Sequence, residues 1–196
     1  MRAELENIPE AWPGCPTWFW HGEHVLALLE NHRPMVCVEL GSWMGSSAIP
    51  VARLIKQWGG HLTCVDVWGS EQVTYNYEPE LNTADRFLRN IVAAGVEENV
   101  HMIQARTDVA ALVWQGRPPI DYLYIDADHS YEGCKSDLEL WWPHLREGGL
   151  IAGDDYSDPR FGVTDAWDEF EQTHGQRFDH WATPGMPAQL IWGLKR

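Results

Sequence analysis

MVCVELGSWMGSS, residues 35–47, frames the chain around it. Met35 to Leu40 is an apolar run of strand-forming residues, Gly41 to Gly45 a tight loop, and Ser46 to Trp58 has the composition of a helix. Gly41 and Gly45 let the backbone turn sharply and come close to a ligand. Ser46 is placed to serve the N-terminus of the new helix. Glu39 is an acid inside an otherwise apolar strand, which is costly unless it meets a partner. A cationic group on a ligand would supply one.

Outward from this unit, strands and helices alternate. Upstream, residues 1–19 carry Pro9, Pro13, Gly14 and Pro16 and read as an irregular arm, followed by helical spacing from Trp20 to Asn31. Residues 1–34 are thus an N-terminal arm and helix, and 35–196 the main body of one structural domain. Downstream, strands are expected at Leu62–Asp66, Asn99–Gln104, Ile120–Ile125, Gly149–Gly153, Arg177–Trp181 and Gln189–Leu194. Helices are expected up to about Ala94, over Thr107–Trp114 with Thr107 or Asp108 as cap, over Tyr131–Leu145, and over Gly162–His174. Short connectors between alternating elements predict an α/β fold, a mostly parallel seven-stranded sheet covered by helices on both faces.

Two acidic clusters each follow a strand: Asp126 and Asp128 in IDADHSY, and Asp154 and Asp155 in GGLIAGDDY. If their strands lie side by side and parallel, the carboxylates crowd one sheet edge. There they raise one another's pKa unless a cation sits among them. Carboxylate oxygens suit a hard ion such as Mg²⁺. Adjacent Asp154 and Asp155 can both be ligands only if the chain turns at Gly153, because neighbours in a regular strand point apart. Asp128 has a competing reading as a cap for the helix that begins near Tyr131. Asp66, at the end of the second strand, stands where an acid reaches ribose hydroxyls in dinucleotide folds. The glycine loop lacks the third glycine of the NAD fingerprint, which weighs against a dehydrogenase and suits a cationic, phosphate-free nucleoside.

Composition excludes other classes. A formal net charge of −15 would repel a nucleic-acid backbone. No apolar stretch approaches the roughly 20 residues that span a membrane, and no h-region opens the chain, so a cytoplasmic protein with a small-molecule acceptor is expected. Cys15, Cys37, Cys64 and Cys134 form no C-x-x-C pair. Cys37 and Cys64 are expected as small hydrophobes in strands. His21 and His24 are expected on the solvated face of a helix. Trp141, Trp142, Trp167 and Trp192 are expected in the core or on the surface of a homodimer. Trp12, Trp18, Trp20, Trp68, Tyr75 and Tyr77 lie in irregular segments and could form an aromatic lid.

VELGSWMGSS, TCVDVW, IDADHSY and GGLIAGDDY together resemble the successive motifs of Rossmann-like, class I S-adenosylmethionine-dependent methyltransferases. They are most similar to the small metal-dependent O-methyltransferases of the macrocin or sugar type. The resemblance runs from about Val36 to Phe170. It implies that Glu39 and the loop of Gly41, Ser42, Gly45 and Ser46 hold the methionine part of S-adenosylmethionine. It places Asp66 at the ribose, Trp68, Thr107 and Asp108 near the adenine, and Asp126 beside the cofactor. Asp126, Asp154 and Asp155 would bind Mg²⁺ or another divalent cation. Asp128 would be the general base with His129 beside it, in a catalytic or a structural role. Asp-Asp in place of the Asp-Asn usual in catechol-type relatives, with no lysine near the first cluster, shifts the expected acceptor towards a sugar or polyol hydroxyl. The alternatives are a metal-independent methyltransferase acting on another nucleophile and a non-catalytic nucleoside-binding module.

Overall fold

The computed structural model describes residues 19–69, 83–182 and 188–196. The proposed aromatic lid therefore lies mostly outside the described residues, as do Cys15 and residues 183–187. The chain begins with α1 (Gly22–His32), β1 (Val36–Leu40), α2 (Ala48–Lys56), β2 (His61–Asp66), α3 (Thr83–Ala94) and β3 (Val100–Gln104). It continues with α4 (Thr107–Trp114), β4 (Ile120–Ile125), α5 (Tyr131–Trp141), β5 (Leu145–Gly153), α6 (Val163–His174), β6 (Asp179–Trp181) and β7 (Leu190–Leu194).

The seven strands form one sheet in the order β3-β2-β1-β4-β5-β7-β6. The first five run parallel, and β7 is antiparallel to both β5 and β6. Alternate residues of the central strands feed two separate cores. Cys37, Cys64, Tyr122 and Tyr124 pack with residues of α1, α2 and α3 on one face, including Leu29, Ile49 and Phe87. Val38, Val65, Leu123 and Ile151 pack with α4, α5 and α6 on the other, including Ala110, Leu138 and Trp167. This is the doubly covered sheet that near-continuous apolar strands require. Cys37, Cys64 and Cys134 are buried free thiols, and Trp141 and Trp167 are fully buried core residues.

Of the helix ends that differ from expectation, two have a visible cause. α5 stops at Trp141 rather than Leu145, and Trp142–His144 form a single 3₁₀ turn. Pro143 explains it: with no N–H and a ring that crowds the carbonyl four residues back, it cannot continue an α-helix. The chain re-enters the sheet at once, so β5 begins at Leu145. At α2, Ser47 rather than Ser46 holds the cap position, without a side-chain capping bond. Its hydroxyl is engaged with Glu39 instead.

β1 and β4 are neighbours, and the chain order proceeds in opposite directions from them. This is the switch point of an open α/β sheet, where loops diverge and leave a crevice beyond the carboxyl ends of the strands. The C-terminal strand also reaches this edge: the Tyr156 amide donates to the Gln189 carbonyl at 3.1 Å, holding the segment that follows β5. Among the described residues, no helix is long and apolar enough to cross a membrane.

Candidate functional site

A cavity of about 1060 Å³ opens at the switch point, walled by the β1–α2 loop, the β3–α4 turn and the segments after β4 and β5. Gly41 adopts a left-handed conformation (φ 83°), and a Cβ there would lie 1.8 Å from the Asp126 carbonyl oxygen. Only glycine lets this loop cross the end of β4. Gly45 (φ 94°) completes the turn, its amide donating to the Ser42 carbonyl at 2.8 Å. It faces Ile49 and Phe87, away from the cavity.

Glu39 is 2 % exposed. Its Oε2 accepts a 2.5 Å hydrogen bond from the Ser42 hydroxyl, and Cys64 Sγ lies 3.7 Å away. Burial pushes its pKa up to about 7, against the opposing pull of the Ser42 and Ser47 hydroxyls. Among the described residues, the side chains that hydrogen-bond to it, Ser42, Ser47 and Cys64, are all neutral.

Asp66 lines the cavity but does more than wait for a ribose. Its Oδ2 accepts the amides of Ser42 (3.1 Å) and Trp43 (2.8 Å), and its Oδ1 accepts that of Trp68 (2.8 Å). It therefore braces the glycine loop. Trp68 lies off the cavity, 4 % exposed, its ring 4.8 Å from Phe87 and its Nε1 donating to the Trp43 carbonyl at 2.6 Å. The expected adenine contact is thus a loop brace in this structure. Thr107 and Asp108 do line the cavity, with Ser46 and Ser47 on its other side. The helix cap there is Arg106, not Thr107 or Asp108. Asp108 instead pairs with the Arg106 guanidinium at 3.0 Å and accepts the Val109 amide.

The acidic clusters converge because β4 and β5 are adjacent and in register through Ile125 and Gly153. β5 ends at Gly153, and Asp155 takes a left-handed conformation (φ 58°), the turn that the two neighbouring acids required. Asp126, His129 and Asp155 each offer a donor atom within 4.8 Å of the others. His129 Nε2 lies 3.3 Å from Asp126 Oδ1 and 3.3 Å from Asp155 Oδ2. Asp154 falls outside that trio. Its Oδ2 accepts from the Tyr124 hydroxyl at 3.0 Å and its Oδ1 from the Asp155 amide at 2.7 Å.

Burial and mutual repulsion govern this group. Asp154 is raised well above the carboxylate range by burial, then by Asp126 and Asp155. Asp155 is pushed up to about 6 by burial, with His129 opposing and Asp126 adding to it. Asp126 is raised by burial despite its hydrogen bond to His129. His129 moves up as well: burial disfavours its charged form, but Asp126 and Asp155 outweigh that. Asp128 stands apart. Its Oδ1 accepts the Ser130 amide at 2.9 Å, and its carboxyl packs over Gly133 at the start of α5, while Ser130 caps the helix.

Three residues differ from the sequence reading or were not singled out by it. His21 is buried rather than on a solvated face, because it precedes α1 and turns inward to meet Tyr124 Oη at 2.8 Å. His24 stacks on Trp181, ring centroids 5.7 Å apart. Asp137 lines the cavity from within α5, and burial pushes its pKa up to about 7. Its signal was legible: it falls on the stripe of Cys134, Leu138 and Trp141, an acid where the helix buries its apolar side.

Solved structures share this architecture. A Klebsiella pneumoniae protein assigned as an O-methyltransferase superposes with TM-score 0.72 at 19% identity, covering 100% of this chain and 89% of its own. An O-methyltransferase from Bacillus cereus in complex with S-adenosylhomocysteine gives 0.70 at 20%, covering 98% and 91%. TomG of Streptomyces achromogenes, an O-methyltransferase of tomaymycin synthesis in complex with S-adenosylmethionine, gives 0.67 at 18%, covering 98% and 90%. At these identities the likeness establishes the fold. Among curated proteins, the uncharacterized protein R132 of Acanthamoeba polyphaga mimivirus is 43% identical over 42 residues, 21% of this chain and 19% of that protein. The chain thus aligns with about a fifth of that relative's length. A family model described as a methyltransferase domain matches residues 38–156, from β1 through the second acidic cluster, and the chain belongs to this family.

Proposed function

We propose that the protein is an S-adenosylmethionine-dependent O-methyltransferase that uses a divalent cation to methylate a hydroxyl of a small molecule, a sugar or polyol by preference. The observation that carries this reading is the Asp126–His129–Asp155 constellation beside the Glu39–Gly41 cradle. The residues fit the cofactor: a buried acid with no cationic side chain against it among the described residues, a loop that only glycine can form, and a cavity of sufficient volume. Glu39 would meet its cationic portion and Asp66 its ribose, with Thr107 and Asp108 towards the base. S-adenosylmethionine, when bound, supplies an electrophilic methyl group on sulfur. The solved relatives that carry S-adenosylhomocysteine or S-adenosylmethionine support the same assignment.

The donors also fit a cation. Asp126 and Asp155 provide hard oxygen ligands, Asp154 stands beside them, and His129 adds a nitrogen that Mn²⁺ accepts as readily as Mg²⁺ tolerates oxygen. Such an ion, when bound, polarises a hydroxyl and lowers its pKa. His129 and Asp128 then lie on the cavity wall as candidates for holding the released proton. Of the two, Asp128 remains open to the proton once His129 gives its Nε2 to the ion, because the Ser130 amide engages Oδ1 and not Oδ2. Phe161, its ring 4.7 Å from that of His129, lines the same cavity.

A second reading has one specific observation in its favour. The His129 imidazole already sits between Asp126 and Asp155, and its charged form is favoured there. A protonated His129 would provide positive charge without a metal, as a metal-independent methyltransferase would need. One experiment separates them. Methyl transfer from S-adenosylmethionine to a panel of sugar, polyol and catechol acceptors is measured before and after EDTA treatment. Activity lost with EDTA and restored by Mg²⁺ or Mn²⁺ supports the first reading. Activity indifferent to EDTA supports the second, and S-adenosylhomocysteine binding without turnover of any acceptor would favour a nucleoside-binding module.

A further inference from the structure

We propose that His21 and Tyr124 are positioning residues for Asp154, fixing that carboxylate so that the site holds a divalent cation; the inference rests on the divalent-cation reading above. The elements involved are far apart in sequence. His21 lies in the turn before α1, Tyr124 near the end of β4, and Asp154 just past β5. The turn is built for the purpose: the Gly22 amide donates to the Phe19 carbonyl at 3.1 Å, and a Cβ on Gly22 would lie 2.6 Å from the Phe19 ring. Glycine therefore lets Phe19 fold back, edge-on to His21 at 5.3 Å and to Tyr124 at 6.0 Å. The aromatic rings wrap the polar chain in hydrocarbon and exclude competing water.

Within that wrapping the hydrogen bonds have one consistent direction. The Tyr124 hydroxyl has a single proton and gives it to Asp154 Oδ2 at 3.0 Å. Towards His21 Nε2, at 2.8 Å, it must then accept, so His21 carries its proton on Nε2. The same nitrogen is 3.6 Å from Asp154 Oδ2, close enough to add attraction without a second bond. The other carboxylate oxygen, Oδ1, accepts the Asp155 amide at 2.7 Å. Each oxygen of Asp154 thus holds one fixed donor, and the group cannot rotate. Asp154 borders the cavity, whereas Tyr124 and His21 are sealed behind it. Asp154 lies beside the Asp126–His129–Asp155 trio, so it can serve the ion only if its orientation is held; partners that orient a ligand in this way, without touching the ion, are worth roughly 10–100-fold in metal affinity.

The test is a titration of Mn²⁺ into the protein saturated with S-adenosylhomocysteine, followed by calorimetry and by the Mn²⁺ electron-spin signal. Tyr124→Phe is expected to weaken Mn²⁺ binding about 10-fold, with S-adenosylhomocysteine affinity within about twofold of wild type. His21→Phe is expected to do the same, and His21→Gln, which keeps an N–H donor, to recover part of the loss. A merely structural role would lower the melting temperature and leave Mn²⁺ affinity alone. Wild-type Mn²⁺ affinity in a folded Tyr124→Phe protein overturns the inference while the cation reading stands. Absence of Mn²⁺ binding by the wild type overturns both. Should Tyr124→Phe fail to fold, the comparison of His21→Phe with His21→Gln decides by the same criterion.

Discussion

Gly41 and Asp126 meet backbone to backbone, so closely that a Cβ on the glycine would stand 1.8 Å from the aspartate carbonyl oxygen. The loop that forms one wall of the cavity is thereby tied to the strand that presents the first acid. Gly41→Ala adds both a left-handed strain and a clash with backbone that cannot yield. Together these cost about 2–6 kcal/mol. Thermal unfolding should show a melting temperature lower by on the order of 10 °C, and calorimetry should show S-adenosylhomocysteine binding lost.

Glu39 makes the cofactor-free protein sensitive to pH. Its folded pKa is raised from 4.5 to about 7 by burial. A raised carboxyl stabilises the fold fully below its unfolded pKa, and that contribution is lost as pH rises through the folded value. The window is therefore about pH 4.5 to 7, and the full shift is worth about 3 kcal/mol. Asp137 and Asp155, also raised, act in the same direction. His21, lowered to about 4, opposes them by losing stability as pH falls from 6.5. Urea unfolding of Glu39→Gln should show a gain over wild type at pH 8 of up to about 3 kcal/mol and almost none at pH 4. The same variant should bind S-adenosylmethionine at least about 10-fold more weakly, because a charge-assisted contact is gone.

His129 is expected to matter for turnover and not for cofactor affinity. Replacing it with alanine removes the group that lies 3.3 Å from both Asp126 and Asp155. The turnover number should fall about 100-fold, while calorimetric affinity for S-adenosylhomocysteine stays near wild type. Equal turnover in His129→Ala and wild type would remove His129 from the reaction.

Trp68→Phe tests whether this ring braces a loop or stacks on a base. The substitution keeps the packing on Phe87 and deletes the 2.6 Å bond to the Trp43 carbonyl. A loss of about 1 kcal/mol in stability is expected, with S-adenosylhomocysteine affinity changed less than threefold. A larger loss of affinity with unchanged stability would return Trp68 to the cofactor site.

What the sequence made legible is what local patterns carry. Runs such as Tyr122–Ile125 and Leu150–Ala152 announce buried parallel strands, and each leads straight into acids, so the convergence of Asp126 with Asp155 followed from adjacency alone. Asp154 shows the limit: which of two neighbouring acids joins His129 depends on the left-handed turn at Asp155, a conformation that two consecutive aspartates do not specify. His21 was misjudged because its partner is 103 residues away and nothing near it marks it as buried. Trp68 was placed at the cofactor by motif position, yet its side chain packs on Phe87 of α3. The early stop of α5 was available from Pro143, which the expected helix over Tyr131–Leu145 ran through.

The amide of Tyr156 rests on the carbonyl of Gln189, so the bend that aims Asp155 leans on a strand made more than thirty residues later in synthesis. A nascent chain that has emerged only through residue 182 would carry every acid of the cavity and lack the prop that orients one of them. Competence for catalysis would then arrive late in translation, after both cores had gathered their strands, and fraying of that outer hairpin would silence the enzyme from a distance.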